Sequence, residues 1–460
     1  MAHDVRTSVA AAVLAAGAMV ALQSPAAAET LEGALGRAYG NNPTLNAQRA
    51  SLRATDESVS QALSGYRPRI SGSADVGAQQ DRTTLPGGTS TQNYLPRGVS
   101  LSISQTIWNG NRTQNSVSQA ESQVFAARET LRNSENQVLL DGVTAYMNVM
   151  RDTAILGVRR SNVEVLEEQL RQVRDRFNVG EVTRTDVAQT EAQLASGRSD
   201  AAGAEANLRA SLATYRQRIG VDAKRLAPAR PLDRFVPKSL DAGVASALRE
   251  HPAINAAMHG VDVAQLNVKV IEGELYPSLT ATGSISRRWD LQGSDVERSS
   301  AAIVGTLSIP IYEGGQVYSR VRQAKEQLGQ QRISVDIVRD QVRQAVMASW
   351  ATVEATKLQV SAAQAQVQAA EVALAGVREE AKVGQRTTLD VLNAQQTVAN
   401  GRVALVSAQR DRVVATYALL SALGRLSAQT LALKVERYNP RTHYDMVRDK
   451  FIGLDTPGGR

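Results

Sequence analysis

The chain has no cysteine. Disulfides, thiolate metal sites and an acylated N-terminal cysteine are therefore excluded. Absence of thiols is also common in bacterial envelope proteins, where an oxidising system acts on stray cysteines. Aromatic residues make up only 4% of the chain. A large globular core ordinarily uses more, whereas the prevalence of Ala, Gln, Val, Arg and Ser suits long helices packed side by side. The formal charge of +7 is modest for 460 residues. It is spread along the chain with no basic stripe interleaved with aromatics, so nucleic acid is not an expected partner.

Enzyme signatures are missing too. There is no G-x-S-x-G, no phosphate-binding P-loop and no H-E-x-x-H. The four histidines (His3, His251, His259 and His443) lack ligand spacing, and His259 reads as a helix-surface residue. No catalytic residue, metal ligand or cofactor is expected. Residues 1–28 read as a secretory leader: Arg6 in the n-region, an apolar run from Val9 to Leu22, and Ala26-Ala27-Ala28 as cleavage site. Past the leader, no run of about 18 apolar residues remains for a membrane helix.

What is present is a duplication. Ala38-Tyr39-Gly40-Asn41-Asn42-Pro43-Thr44-Leu45-Asn46 returns as Ala247-Leu248-Arg249-Glu250-His251-Pro252-Ala253-Ile254-Asn255. Phe177-Asn178-Val179-Gly180 with Thr183 and Asp186 returns as Ala381-Lys382-Val383-Gly384 with Thr387 and Asp390. Repeat 1 (29–230) reads as a helix over 31–64, a hairpin over 68–108, a long helix over 113–178 and a return helix over 183–219. Repeat 2 (231–430) reads as a helix over 240–275, a hairpin over 277–311, a long helix over 316–382 and a return helix over 387–423. The tail over 431–460 is assigned no element. Val117, Val124, Leu131, Val138 and Ala145 recur every seven residues, as do Val321, Leu328, Val335, Val342 and Ser349. That spacing means helix-on-helix packing. At 1.5 Å per residue each proline-free long helix spans on the order of 90–95 Å, a length that suits crossing a periplasm. Gly180 and Gly384 fit the left-handed position that closes a helix.

The strands alternate apolar with small polar residues. Val99, Leu101 and Ile103 alternate with Ser100, Ser102 and Ser104; Leu279, Ala281, Gly283 and Ile285 alternate with Thr280, Thr282, Ser284 and Ser286. Strands of about ten residues, apolar on one face only, fit a membrane barrel. The connections Asp81–Arg97 and Asp290–Ser300 read as long polar loops. Tyr66, Trp108, Tyr276 and Tyr312 at the helix-proximal strand ends, with Tyr94 and Trp289 at the loop ends, fit an interfacial girdle. Two hairpins cannot close a sheet, and hydrocarbon tolerates no open edge. Copies must associate: two would give eight strands around side chains, three would give twelve around an open pore.

With Phe177-Asn178-Val179-Gly180…Thr185-Asp186-Val187, Leu307-Ser308-Ile309-Pro310-Ile311-Tyr312-Glu313-Gly314-Gly315 and Val383-Gly384…Leu389-Asp390-Val391-Leu392, the mature chain resembles the TolC family of outer-membrane channel-tunnel proteins. The resemblance implies an α+β membrane protein: a homotrimer with a twelve-stranded outer-membrane β-barrel, four strands per chain, continued by a periplasmic α-helical barrel. It implies an exit duct for proteins (type I secretion) or for drugs and small molecules, in the outer membrane of a Gram-negative bacterium. A periplasmic adaptor and an inner-membrane ABC or proton-driven pump are the implied partners. Gating is implied for Asp390, Asn393, Arg386 and Asp186, with Asn393 standing where the family has a second acid and Ala381 where it has a tyrosine. The helix-turn tips (Val179, Gly180, Thr183, Val383, Gly384 and Thr387) are the implied adaptor-docking points. Thr183-x-x-Asp186 and Thr387-x-x-Asp390 are equally capping-box spacings, and the two roles are compatible. The alternative is a periplasmic coiled-coil adaptor, which would not need strands apolar on one side.

Overall fold

The computed structural model describes residues 28–290 and 296–457. The leader expected over 1–28 lies outside the described residues, Ala28 apart. Each repeat opens with two helices where the sequence reads as one: α1 (Leu31–Asn41) and α2 (Pro43–Leu63), then α5 (Leu240–Glu250) and α6 (Pro252–Glu272). The break has a local cause. Proline disfavours helical geometry in the residue before it, so Asn42 and His251 adopt extended conformations. Each then caps the next helix. Asn42 Oδ1 accepts from the Thr44 amide at 2.9 Å, and His251 Nδ1 accepts from the Ala253 amide at 3.1 Å. Burial pushes the His251 pKa down, which keeps the ring neutral for that role.

β1 (Arg69–Val76), β2 (Gln79–Leu85), β3 (Gly88–Tyr94) and β4 (Arg97–Trp108) follow α2; β5 (Ser278–Trp289) and β6 (Glu297–Ser308) follow α6. An antiparallel sheet runs β1-β4-β5-β6. The span read as a polar loop, Asp81–Arg97, is instead largely ordered: β2 and β3 pair as a separate two-stranded sheet about a Pro86-Gly87 turn. Both of its faces are polar, and Gln80–Asn93 and Thr84–Thr89 bond across it at 2.9 and 3.1 Å.

The long helices are α3 (Arg112–Asn178) and α7 (Gln316–Lys382), 67 residues each. Their returns are α4 (Arg184–Ile219) and α8 (Thr388–Ala422). The seven-residue seam is covered: Val124, Leu131, Val138, Ala145, Val321, Val335 and Val342 are all buried. The tail carries one short helix, α9 (Pro440–Val447).

The chain forms two compact units, each built from parts of both repeats. One takes the chain up to Thr44, Glu135–Val244 and Ala345–Glu436. In it Leu166, Leu170, Leu194 and Leu392 form a core cluster. Its N-terminal segment and inter-repeat linker are tied to α3: the Tyr146 hydroxyl lies 2.7 Å from the Glu29 carbonyl and 2.6 Å from that of Ala227. Tyr215 donates to Glu29 Oε1 at 2.7 Å. Burial pushes the Tyr146 pKa to about 12, so it remains a donor.

The other unit takes Leu45–Ser134, Ala245–Gln344 and the chain from Arg437 onward. Val59, Ala120 and Val124 form a cluster here, with Tyr444 of the tail packed against it. His443 Nδ1 sits 3.0 Å from Asp56 Oδ2, both buried, and burial raises the Asp56 pKa against the pull of His443. The tail is therefore part of this unit's packing.

Strand gives way to helix through a backbone crossing. Gly110, with φ 65°, follows β4. A Cβ there would stand 2.5 Å from the Gly273 carbonyl oxygen and 2.8 Å from Tyr276 Cβ. Gly110→Ala is expected to cost about 2 kcal/mol from left-handed strain and this collision. Thermal unfolding in detergent checks it against Gly157→Ala, which meets open space inside α3 and gains helix propensity. Equal midpoints for the two variants would remove the close-approach argument.

Candidate functional site

The four-stranded sheet is inside-out by the standards of a soluble protein. On β4, Val99, Leu101 and Ile103 are 48, 54 and 44% exposed, while Ser100, Ser102 and Ser104 between them are partly covered. The register carries this across the sheet. One face holds the rungs Ile70–Ile103–Gly283–Ile303 and Gly72–Leu101–Ile285–Ala301. The other holds Ser73–Ser100–Ser286–Ser300, Ser71–Ser102–Ser284–Ala302 and, from β4 onward, Thr106–Thr280–Thr306. Ser71 and Ser102 bond through their hydroxyls at 2.8 Å, Ser73 and Ser100 at 2.7 Å. A hydroxyl-lined surface suits contact with water; the opposite face suits hydrocarbon. Among the described residues no helix is long and apolar enough to cross a membrane.

Four of the six aromatics expected to form a girdle flank the helix-proximal end of this sheet: Tyr66 before β1, Trp108 ending β4, Tyr276 before β5 and Tyr312 after β6, all exposed. A bulge aims Trp108. The register steps from Thr106↔Thr280 to Trp108↔Leu279, so Trp108 leaves the hydroxyl face and joins the apolar one. Trp289 closes β5 at the other end, paired with Arg97 and Glu297. Tyr94 is elsewhere: it ends β3 in the separate hairpin, 9% exposed, with its hydroxyl donating to Gln92.

The helix-turn tips lie in the first unit described. Each long helix closes on a left-handed glycine, Gly180 with φ 81° and Gly384 with φ 78°. The return helix then opens on a reciprocal cap. The Thr183 amide and hydroxyl donate to Asp186 Oδ2 at 2.9 and 2.6 Å, and the Asp186 amide donates back to Thr183 Oγ1 at 3.3 Å. Thr387 and Asp390 repeat this at 2.9, 2.9 and 3.2 Å. Those Thr387 bonds hold the Asp390 pKa below the usual carboxylate range, and Thr183 does the same for Asp186. Asn393 is exposed near Asp390 on α8. Val179 and Val383 stand 72 and 71% exposed.

Sequence reading missed the ion pairs that brace these turns. Arg176 Nε meets Glu181 at 3.1 Å, and Arg386 Nε meets Glu380 at 2.8 Å. Arg176 and Glu380 occupy equivalent positions of the two repeats with opposite charge. The signal was present in that reversal, but a long helix end gives no reason to expect a partner in the loop. Glu380 first, and Asp390 beyond it, favour the charged form of Arg386. Among the described residues no cluster of His, Cys, Asp or Glu could hold a metal ion.

The outer membrane efflux protein family model matches residues 34–221 and 243–425. The chain belongs to that family. It is 45% identical to the outer membrane efflux protein BepC of Brucella suis over 98% of this chain and 97% of that one. Identity to the outer membrane protein TolC of Escherichia coli is 26%, over 88% and 84% of the two chains. Its fold matches the crystal structure of the Campylobacter jejuni CmeC outer membrane channel with a TM-score of 0.77 at 17% identity, covering 91% of this chain and 89% of that one. This efflux-family chain is therefore an outer-membrane channel protein, and its apolar sheet face is the one that meets lipid.

The tip caps depend on pH in a defined direction. Their folded pKa values are depressed, so the stabilisation is fully present above about pH 4, where unfolded carboxyls are ionised. It is lost as pH falls through the lower folded values. Exchange of the Asp186 and Asp390 amides should accelerate beyond the intrinsic change between about pH 6 and about pH 3. Thr183→Val and Thr387→Val should raise exchange about fivefold at neutral pH, the loss of one N-cap. Indifference to both changes would mean that the caps contribute nothing.

Proposed function

We propose that three copies of this chain close a twelve-stranded barrel and form the outer-membrane exit duct of a tripartite export system. The observation that carries this is the inside-out sheet with two free edges, β1 and β6. Backbone groups on those edges cannot remain unpaired in hydrocarbon. Strand direction alternates across the sheet, so β6 of one copy meets β1 of the next antiparallel and the circle closes without a mismatch. Three copies leave a water-filled lumen, whereas two would fill it with side chains. Tyr66, Trp108, Tyr276 and Tyr312 form the interfacial girdle on the helix side and Trp289 on the loop side.

The tips are the gate and the docking points. Asp390 narrows the closed lumen, where threefold symmetry triplicates its charge, with Asn393 beyond it and Asp186 on the other hairpin. Arg386, braced by Glu380, holds the turn shut. Val179 and Val383, beside Gly180, Gly384, Thr183 and Thr387, present apolar surface to a periplasmic adaptor, which links the duct to an inner-membrane pump. The periplasmic adaptor reading is disfavoured because it leaves the exposed apolar sheet face unexplained.

In detergent the purified chain should have the mass of a trimer. In planar bilayers Asp390→Ala should weaken block by multivalent cations and raise conductance, and Arg386→Ser should increase the open fraction. A soluble monomer without detergent would defeat the assembly; unaltered single-channel behaviour in both variants would defeat the gate.

A further inference from the structure

We propose that Asp75, Arg288 and Arg298 form a charge ring inside the loop-end mouth of the barrel, and that this ring sets ion selectivity there in favour of anions. The proposal rests on the trimeric reading above. Its basis is one rung of the sheet. Asp75 pairs with Gly98, Gly98 with Arg288, and Arg288 with Arg298. Paired residues share a face, and two residues further along each strand lies the rung Ser73–Ser100–Ser286–Ser300. The charged rung is therefore on the hydroxyl face, which lines the lumen.

Gly98 makes room for it. A Cβ at that position would stand 3.0 Å from Asp75 Oδ1 and 3.1 Å from Arg288 Cγ. Across the gap an Arg288 Nη2 lies 3.7 Å from Asp75 Oδ1, with side chains 52 and 57% exposed. One carboxylate thus offsets one of two guanidiniums, and each chain keeps one excess positive charge at this rung. Toward the helix end the hydroxyl face carries no further charge until Arg69, opposite Ser104. Among the described residues the other charges near the rung are balanced; Asp295 of the β5–β6 connection lies outside the described residues. Arg287 pairs with Glu297 on the lipid-side face, Arg97 lies 3.9 Å from Asp290, and the β2–β3 hairpin carries one Asp81 and one Arg82.

Three chains place six guanidiniums and three carboxylates around one level of the lumen. A ring of net positive charge in a narrow, low-dielectric wall concentrates anions, and at about 0.1 M salt its field reaches about 10 Å into solution. The expected ligand class is small multivalent anions entering from the loop side. The sign is opposite to that of the carboxylates proposed for the gate.

The test uses the purified full chain in planar bilayers under a salt gradient of about tenfold, with reversal potential as the readout. R288Q/R298Q should raise the ratio of potassium to chloride permeability about twofold or more, and D75N should lower it. R288K/R298K keeps the charge and should match the unmodified chain. Inorganic triphosphate added on the loop side should block the unmodified chain and lose about tenfold in potency on R288Q/R298Q. Conducting channels whose reversal potential and triphosphate block are the same in every variant would overturn the ring and leave the duct standing. Failure of the unmodified chain to conduct at all would overturn the duct and the ring together.

Discussion

The free edges of β1 and β6 impose the constraint from which the other features follow. An amide or carbonyl stranded in hydrocarbon costs several kcal/mol, while a folded domain is net stable by only about 5–15 kcal/mol. A handful of unpaired groups would consume that margin. The edges must therefore be covered, and a sheet whose strands already alternate in direction offers its own β1 edge to another copy's β6. In the proposed assembly, oligomerisation is a condition of residence in the membrane and not an embellishment of a stable monomer.

Once the sheet stands in lipid, the residue choice on each face becomes intelligible. Val99, Leu101, Ile103 and Ile303 are exposed because their solvent is hydrocarbon. The serine and threonine rungs satisfy one another across strands at 2.7 and 2.8 Å and need no charge to stay wet. The helical portion meets water on its outside, and its order is conventional: seven-residue seams bury Val and Leu, and capped, glycine-closed turns end the rods. Between strand and helix the chain threads Gly110 against Gly273, where neither backbone leaves space for a side chain.

Much of this was legible in the residues. Proline-free stretches with a seven-residue seam gave the 67-residue helices nearly to their ends. Val-Gly followed by Thr-x-x-Asp gave both tips, because those turns are built from contacts within a few residues. Strand alternation gave the two faces. The β2–β3 hairpin was not legible: its strands are polar on both sides, so the only periodic signal a strand can carry was absent. The breaks at Asn42 and His251 were written in the following prolines, but apolar spacing runs through them and masks the joint. Tail packing depends on Asp56 meeting His443, 387 residues apart in sequence, and no local pattern reports such a pair. The tip ion pairs failed for a related reason: each joins a helix end to a loop whose path is known only in three dimensions.

The charge reversal between Arg176 and Glu380 breaks an equivalence that duplication alone would have left. In the proposed trimer, six hairpins from three pairs of identical repeats would present the same surface at every step of a sixfold rotation. With arginine on one helix end and glutamate on the other, neighbouring hairpins differ, and the rim repeats only every second position. In that proposed assembly, a ring seated on the rim would have three matching orientations instead of six, so a partner docking there would itself alternate in character around its circumference.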